Sequence, residues 1–319
     1  MNAAIVHSFE VPPRYGSFAE PDCADGEVIV NVRAAGLHPL VRALARGTHY
    51  GSSGSLPFIP GVDGAGQLRD GTRVFFMLPR SPFGSFAERS VAARATCLPL
   101  PEGVDDATAA ASANPAMSSW VALKVRAQFA AGESVLILGA TGSAGQLAIQ
   151  IAKRLGARRV IAVGRDPQED RLKELGADAV VRLNQDRAEL ASAFRREWAE
   201  AGVDVVLDYL WGQPAEILLE AIAQKGLQHA ASRIRYVQIG SAAGDPISLP
   251  GATLRSSRLE LLGSGFGSAS MPEILQAISE FFQESARKPF QTSIETAPLR
   301  EVEAIWNRPG LGARMVFQP

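Results

Sequence analysis

The stretch Ser134-Val135-Leu136-Ile137-Leu138-Gly139-Ala140-Thr141-Gly142-Ser143-Ala144-Gly145 limits what this chain can fold into more than any other. A short apolar run of strand length meets a glycine-rich turn. A helical pattern follows at once, with Leu147, Ala148, Ile151, Ala152 and Leu155 on one face and Gly156 as a stop. Strand, turn and helix in this order are the context in which glycine spacing points to dinucleotide binding. Backbone without a Cβ lets a pyrophosphate approach closely, and the helix N-terminus offers it free N–H groups and a positive dipole end. The spacing is GxxGxxG, with Ala140 standing where the strict GxGxxG pattern has its first glycine. A plain strand–helix turn is the alternative reading of the motif alone.

A chain of 319 residues points to about two domains, each large enough for a real core. The 32 Lys+Arg balance 33 Asp+Glu, for a net charge of -1, so composition suggests no nucleic-acid or membrane partner. No apolar run is long enough to span a bilayer and no signal-peptide pattern opens the chain. Cys23 and Cys97 fall in different segments, which excludes a disulfide framework and fits a reducing cytoplasm.

The first third is rich in glycine and proline and carries strand patterns at 27–34, 72–77 and 85–91. Short β segments at this spacing predict a small barrel-like domain. Between the first two strands, residues 47–60 are dense in Gly, Ser and Pro and read as a long surface loop. From about residue 107 helical and strand patterns alternate. Strands are expected at 135–138, 160–163, 179–183, 203–208, 235–240 and 259–262, with helices among them at 169–175, 188–201 and 214–224. This alternation predicts a doubly wound parallel sheet in 3-2-1-4-5-6 order, with ligand at the carboxyl ends of the strands. A helix around 272–284 and a terminal strand at 313–317, returning to the first domain, complete the chain. The division expected is 1–115, 116–258 and 259–319.

Twenty positions beyond Gly145, at the tip of the second nucleotide-domain strand, stands Gly164-Arg165. An NAD-binding chain usually places an acid there for the ribose 2′-OH. Here glycine leaves room and Arg165 offers a planar, always-charged fork to a 2′-phosphate, with Arg171 one short turn further on. That favours NADPH over NADH. Asp166 is a competing feature, able to cap the next helix or touch the ribose. A solvated surface arginine is the alternative for Arg165.

Several stretches resemble the medium-chain dehydrogenase/reductase superfamily, over essentially the whole chain. Val32-Arg33-Ala34-Ala35-Gly36-Leu37 is similar to its first-domain strand, and Ile59-Pro60-Gly61-Val62-Asp63-Gly64-Ala65-Gly66 to its P-G-x-[ED]-x-x-G turn. Asn114-Pro115-Ala116-Met117-Ser118-Ser119-Trp120 resembles the segment entering the nucleotide domain. The glycine turn followed by Gln150-Ile151-Ala152-Lys153 resembles the zinc-free, quinone-oxidoreductase-like branch. Leu175-Gly176-Ala177-Asp178, Asp204-Val205-Val206-Leu207-Asp208 and Gly263-Ser264 fall where that family has similar segments. The resemblance implies a GroES-like β-rich domain followed by a Rossmann domain, and a homodimer through the edge strand at 259–262.

The resemblance also bears on metal. Where zinc enzymes of the family carry a catalytic Cys and His, this chain has His38 and Val62, leaving Asp63 at the acidic position. Two ligands are one short of a catalytic zinc site, and two cysteines cannot build a structural Cys₄ site. The expectation is therefore a zinc-free enzyme, with Asp63 a structural acid bonded to backbone or to an arginine. Hydride transfer to a quinone or an enone follows from the resemblance, with negative charge developing on the substrate oxygen. Candidates to donate to that oxygen are His38, His49, Tyr50 and Asn114. For His49 and Tyr50 the alternative is an exposed loop, and for His38 a satisfied packing histidine. His7 and His229 are given no role.

Cofactor contacts are expected from Met117, Ser118, Thr141, Gly142, Ser143, Ala144, Gly145, Gly164, Arg165 and Arg171. Gly240 and Ser241 end the fifth strand and Gly263 and Ser264 the sixth, where strand ends line the nicotinamide. Arg314 matches a basic position in the family's final segment and is expected at a cofactor phosphate, an edge-strand charge being the alternative. Asp208-Tyr209 ends the fourth strand, where the aromatic either stacks near the cofactor or fills core. The reading is an NADPH-dependent reductase of quinones or activated double bonds. The alternatives are a zinc-assisted alcohol dehydrogenase and a low-turnover NADPH-binding sensor or structural protein.

Overall fold

Buried apolar runs and alternating half-buried ones divide this chain into two kinds of sheet. The computed structural model describes residues 1–52, 54–165, 168–223, 233–308 and 313–319, so Asp166 and His229 lie outside the described residues. In chain order the elements are β1 (Asn2–Ile5), β2 (Arg14–Ser17), β3 (Glu27–Gly36), α1 (Pro39–Ala45), β4 (Asp63–Gln67), β5 (Arg73–Met77), β6 (Arg89–Ala93), β7 (Cys97–Pro99) and α2 (Asp106–Val121). Then follow β8 (Ser134–Leu138), α3 (Ser143–Arg154), β9 (Arg159–Gly164), α4 (Glu169–Glu174), β10 (Ala179–Arg182), α5 (Arg187–Ala201), β11 (Val205–Asp208) and α6 (Gly212–Ile222). The chain closes with β12 (Ile234–Gln238), α7 (Gly251–Ser256), β13 (Leu259–Gly263), α8 (Met271–Arg287), β14 (Ile294–Pro298), α9 (Val302–Ile305) and β15 (Arg314–Gln318). They form two compact units, Met1–Asn114 with Ser279–Pro319, and Pro115–Ile278.

The first unit is the GroES-like domain. Its seven-stranded sheet runs β14-β15-β3-β4-β5-β7, with β6 pairing β3 as well. Strand β3 alternates as its sequence requires, with Val30 and Val32 buried and Asn31 and Arg33 exposed. The segment Asp63–Gln67, read above as a turn, is strand β4, antiparallel to both β3 and β5. Its glycines hid it, since glycine lowers strand propensity. Packing explains their presence: a Cβ on Gly66 would stand 2.3 Å from the Asn31 carbonyl oxygen. The strand expected at 85–91 instead spans 89–93, because Phe86 and Ser85 donate their N–H groups to Pro60 and Gly61 in a loop crossing. The described residues of 47–60 lie outside helices and strands, and Phe58 and Ile59 make isolated bridges to Val6 and Phe83. Strand β15 does return to this unit, lying antiparallel to β3 with Val316 opposite Gly36.

The second unit is the Rossmann domain. Its six parallel strands run β10-β9-β8-β11-β12-β13, which is the 3-2-1-4-5-6 order. Strands β8 and β11 are buried at every residue, as strands covered on both faces must be. Strand β12 stops at Gln238, short of the expected 240, because the N–H groups of Ile239 and Gly240 both turn to the Asp208 carbonyl. Helix α5 starts where Asp186 accepts a bond from the Glu189 N–H at 2.9 Å. Arg235, 4% exposed on β12, is neutralised by Glu133 at 2.6 Å and donates to the Ala127 carbonyl, closing the π-turn at Ala122–Arg126. Strand β13 is at the sheet edge. Among the described residues, no helix is long and apolar enough to cross a membrane.

The core of the first unit draws on both ends of the chain. Phe86 is fully buried, with its ring edge-on to Trp306 at 6.0 Å and to Phe317 at 5.5 Å. Phe86→Ala should cost about 3–5 kcal/mol, as a cavity that rigid neighbours cannot fill. Urea unfolding of the variant measures it, and a loss under about 1 kcal/mol would show that the aromatic cluster is dispensable.

Candidate active site and dinucleotide groove

The glycine turn is built around a missing Cβ. A Cβ on Gly145 would fall 2.3 Å from the Gly139 carbonyl oxygen and 2.6 Å from the Ala140 Cα. Only hydrogen at that position lets helix α3 sit directly on the end of β8. Gly142 occupies the N-cap with φ -73° and ψ 159° and has no side chain to fold back onto the first turn. The first helical bond runs from the Gln146 N–H to the Gly142 carbonyl. Among the described residues, the N–H groups of Ser143, Ala144 and Gly145 have no backbone acceptor. Gly142 itself is exposed. A 12-residue helix thus opens onto solvent with an uncapped, positive end, which fits a dinucleotide's pyrophosphate.

The first turn is braced from behind. Gln146, 8% exposed, donates its amide to the Thr141 carbonyl at 3.0 Å and to the Gln168 side chain at 3.3 Å. Sequence reading missed this bridge, since a glutamine on a helix carries no signal of its own. Gly164, at the end of β9, lies under Thr141, whose methyl group would be 2.5 Å from a Cβ there. Next to it Arg165 is exposed and forms no ion pair among the described residues. Its neighbours are engaged: Arg171 meets Glu174 at 3.4 Å, while Lys173 and Arg182 both meet Glu169.

The other strand ends complete the groove. The Tyr209 N–H donates to the Leu138 carbonyl, and the Tyr209 carbonyl accepts from Ala242. Gly240 packs against the Tyr209 backbone, and Ser241 follows, exposed. The Gly263 carbonyl accepts from Arg126 at 2.9 Å, and the Ser264 N–H donates to the Gln238 carbonyl. From α2, Met117 and Ser118 are half-buried; Ser118 donates to the Pro115 carbonyl at 2.7 Å and lies 3.5 Å from the Tyr209 hydroxyl.

In the first unit the candidate proton donors separate. His38 is 1% exposed at the N-cap of α1, and its Nε2 lies 2.9 Å from the Asp63 carboxylate. Asp63 thus bonds to a histidine, where backbone or arginine was the expected partner. The two residues stand 25 apart, a pairing no spacing rule announces. Arg314 lies half-buried on β15 and donates to the Leu37 carbonyl at 3.2 Å. Burial pulls its guanidinium down to about 10, against the attraction of Asp63 and with the repulsion of Arg42. Its placement in this unit serves β3 and the His38–Asp63 neighbourhood. Asn114 is half-buried on α2.

His49 is the better-organised candidate on the loop. The Gly51 N–H donates to its Nδ1 at 3.1 Å, and burial lowers its pKa. Both favour the neutral ring, with Nε2 carrying the hydrogen. Its ring centroid lies 4.1 Å from that of Tyr50, tilted by 33°, while Tyr50 is 83% exposed. Among the described residues, no three His, Cys, Asp or Glu side chains gather to hold a metal.

The sequence profile of the zinc-binding dehydrogenase family matches residues 144–280, the part that carries α3 and most of the parallel sheet. A probable NADPH-dependent quinone reductase of Emericella nidulans is 29% identical, with both chains covered completely. A quinone oxidoreductase of Sus scrofa is 31% identical over 223 residues, 66% of each chain. The crystal structure of a quinone oxidoreductase from Thermus thermophilus, solved also with NADPH, superposes with a TM-score of 0.82 and 28% identity over 100% of both chains. With its Rossmann strand order, glycine turn and GroES-like domain, this chain belongs to the medium-chain dehydrogenase/reductase superfamily and is of its quinone-reductase-like kind.

Proposed function

We propose that this protein is an NADPH-dependent reductase that passes hydride to a quinone or to the β-carbon of an enone, without a metal. The uncapped N-terminus of α3 over Gly142, with Gly145 seated on the Gly139 carbonyl, carries the reading. The relatives named for NADPH-dependent quinone reduction support it. Ser143, Ala144 and Gly145 hold the pyrophosphate by their N–H groups, and Arg165 takes the 2′-phosphate with Arg171 behind it. Met117, Ser118, Gly240, Ser241, Gly263 and Ser264 line the nicotinamide half. When bound, NADPH supplies a hydride from its nicotinamide C4.

The metal-free part of the proposal rests on the residues at the expected zinc positions. Val62 cannot ligate, and His38 and Asp63 are already bonded to each other. Negative charge on the substrate oxygen must then be met by a hydrogen-bond donor. His49 suits this role, because the Gly51 N–H occupies its Nδ1 and leaves the hydrogen on Nε2 for a ligand. The Tyr50 ring lies beside it, tilted by 33°.

Three measurements test this function. NADPH oxidation over a panel of 1,4-quinones, enals and enones should proceed at rates unchanged by chelator. Oxidation of simple alcohols by NADP⁺ that chelator abolishes would reverse the assignment. Arg165→Ala should weaken NADPH binding by about 1.5–3 kcal/mol and NADH binding very little, as loss of a charge-assisted pair. Equal losses for both cofactors would remove Arg165 from the 2′-phosphate site. His49→Ala should lower kcat for an enone by more than about tenfold, with Tyr50→Phe milder; if neither falls that far, water or a ribose hydroxyl delivers the proton.

A further inference from the structure

Asp208 is a carboxylate with 0% exposure at the end of β11, and it is completely surrounded by donors. Its Oδ1 accepts the Leu210 N–H at 2.7 Å and the Trp211 N–H at 2.9 Å. Its Oδ2 accepts the Tyr236 hydroxyl at 2.6 Å, and Tyr236 is itself 0% exposed on β12. Burial raises the carboxyl pKa, and these three donors oppose the rise. A buried charge this fully satisfied must be maintained against its desolvation, so what it holds in place matters.

What it holds is a strained corner. Trp211 has φ 54° and ψ -156°, and Gly212 follows at φ 58°. A tryptophan in that region is costly and persists only where the surroundings over-determine it. Here they do: the carboxylate takes two consecutive N–H groups, and the Trp211 ring stands edge-on to Tyr236 at 6.3 Å. Neither Asp208 nor Tyr236 can touch a ligand. The residue the corner presents can. Tyr209 sits between the ends of β8 and β12, its Cβ 3.2 Å from where a Gly139 side chain would begin and its carbonyl 3.1 Å from the same point on Gly240. Its phenol reaches Ser118, and burial pushes the hydroxyl up to about 12, so it remains a donor at neutral pH.

In a doubly wound sheet the first three strands hold the adenosine half of a dinucleotide and the last three the other half. Tyr209 is on the second side. We propose that Asp208 is a positioning residue for the nicotinamide half of the cofactor groove: bonded to Tyr236, its carboxylate fixes the corner that sets Tyr209 beside Ser118. This rests on the NADPH reading above, and deepens it by dividing the groove into a half that depends on Asp208 and a half that does not.

The test compares two probes by titration calorimetry, NADPH and adenosine 2′,5′-bisphosphate, on the full chain. Tyr236→Phe should weaken NADPH binding by about tenfold and leave adenosine 2′,5′-bisphosphate within about twofold. In a Tyr209→Ala background the same substitution should add less than about twofold, because its effect passes through Tyr209. A filler role in the core would instead lower the melting temperature of the unliganded protein and leave both affinities alone, or weaken both equally; either result overturns the proposal. If Tyr236→Phe does not fold, Asp208→Asn keeps an acceptor for the Leu210 and Trp211 N–H groups and carries the comparison. Tyr209→Ala stands independently of both, and unchanged NADPH affinity in it also overturns the proposal. Failure of wild type to bind NADPH is a separate outcome, which removes the cofactor reading and this inference with it.

Discussion

The contact on which the nucleotide unit depends is the one between Gly145 and the Gly139 carbonyl. Helix α3 can meet β8 at a sharp angle only because no side chain intervenes. That approach aims the helix axis, and with it three unused N–H groups, at the carboxyl edge of the sheet. The amphipathic face of α3, from Leu147 to Ala152, then buries itself, so a local steric permission becomes a global one. The same close approach fixes where the first turn of α3 begins. Gln146 braces that turn through the Thr141 carbonyl.

Buried arginines are met by different partners in the two units. In the Rossmann unit Arg235 is buried and neutralised by Glu133, while Arg165 is exposed. In the GroES-like unit Arg314 and Arg42 are both pulled below the usual guanidinium range by burial, with Asp63 acting against the shift of Arg314. His38 and Asp63 are also buried in this unit, with the histidine Nε2 2.9 Å from the carboxylate. The contact uses Nε2 alone, and the buried Nδ1 of His38 has no hydrogen-bond partner among the described residues.

The nucleotide unit was legible because its strands are covered on both faces and must be apolar throughout. Runs such as Val135–Leu138 and Val160–Val163 are unambiguous, and glycine spacing marked the site between them. The GroES-like unit was harder to read. Strand β4 is written largely in glycine and alanine, because backbone from β3 passes too close for anything larger, so the usual strand signal is absent. The loop at 85–88 carries an apolar pattern but spends its N–H groups on Pro60, Gly61 and Asn2. At the site, a residue's contact with solvent could be anticipated; its partner could not. His38 with Asp63, and Asp208 with Tyr236, are joined by tertiary structure across 25 and 28 residues, and no local pattern encodes such pairs.

The route of β15 has a temporal consequence. That strand lies between β14 and β3, so the sheet of the first unit includes residues from both ends of the chain. Synthesis proceeds from the N-terminus and domains fold as units when they emerge. Residues 115–278 are contiguous and can complete their sheet while the ribosome is still translating. The first 114 residues, though made earlier, lack the β15 partner of Ala35 and Gly36 at the end of β3 until residues 314–318 arrive. The contiguous unit can therefore finish first, and the newborn chain leaves the Ala35–Gly36 end of β3 without its strand partner throughout that interval.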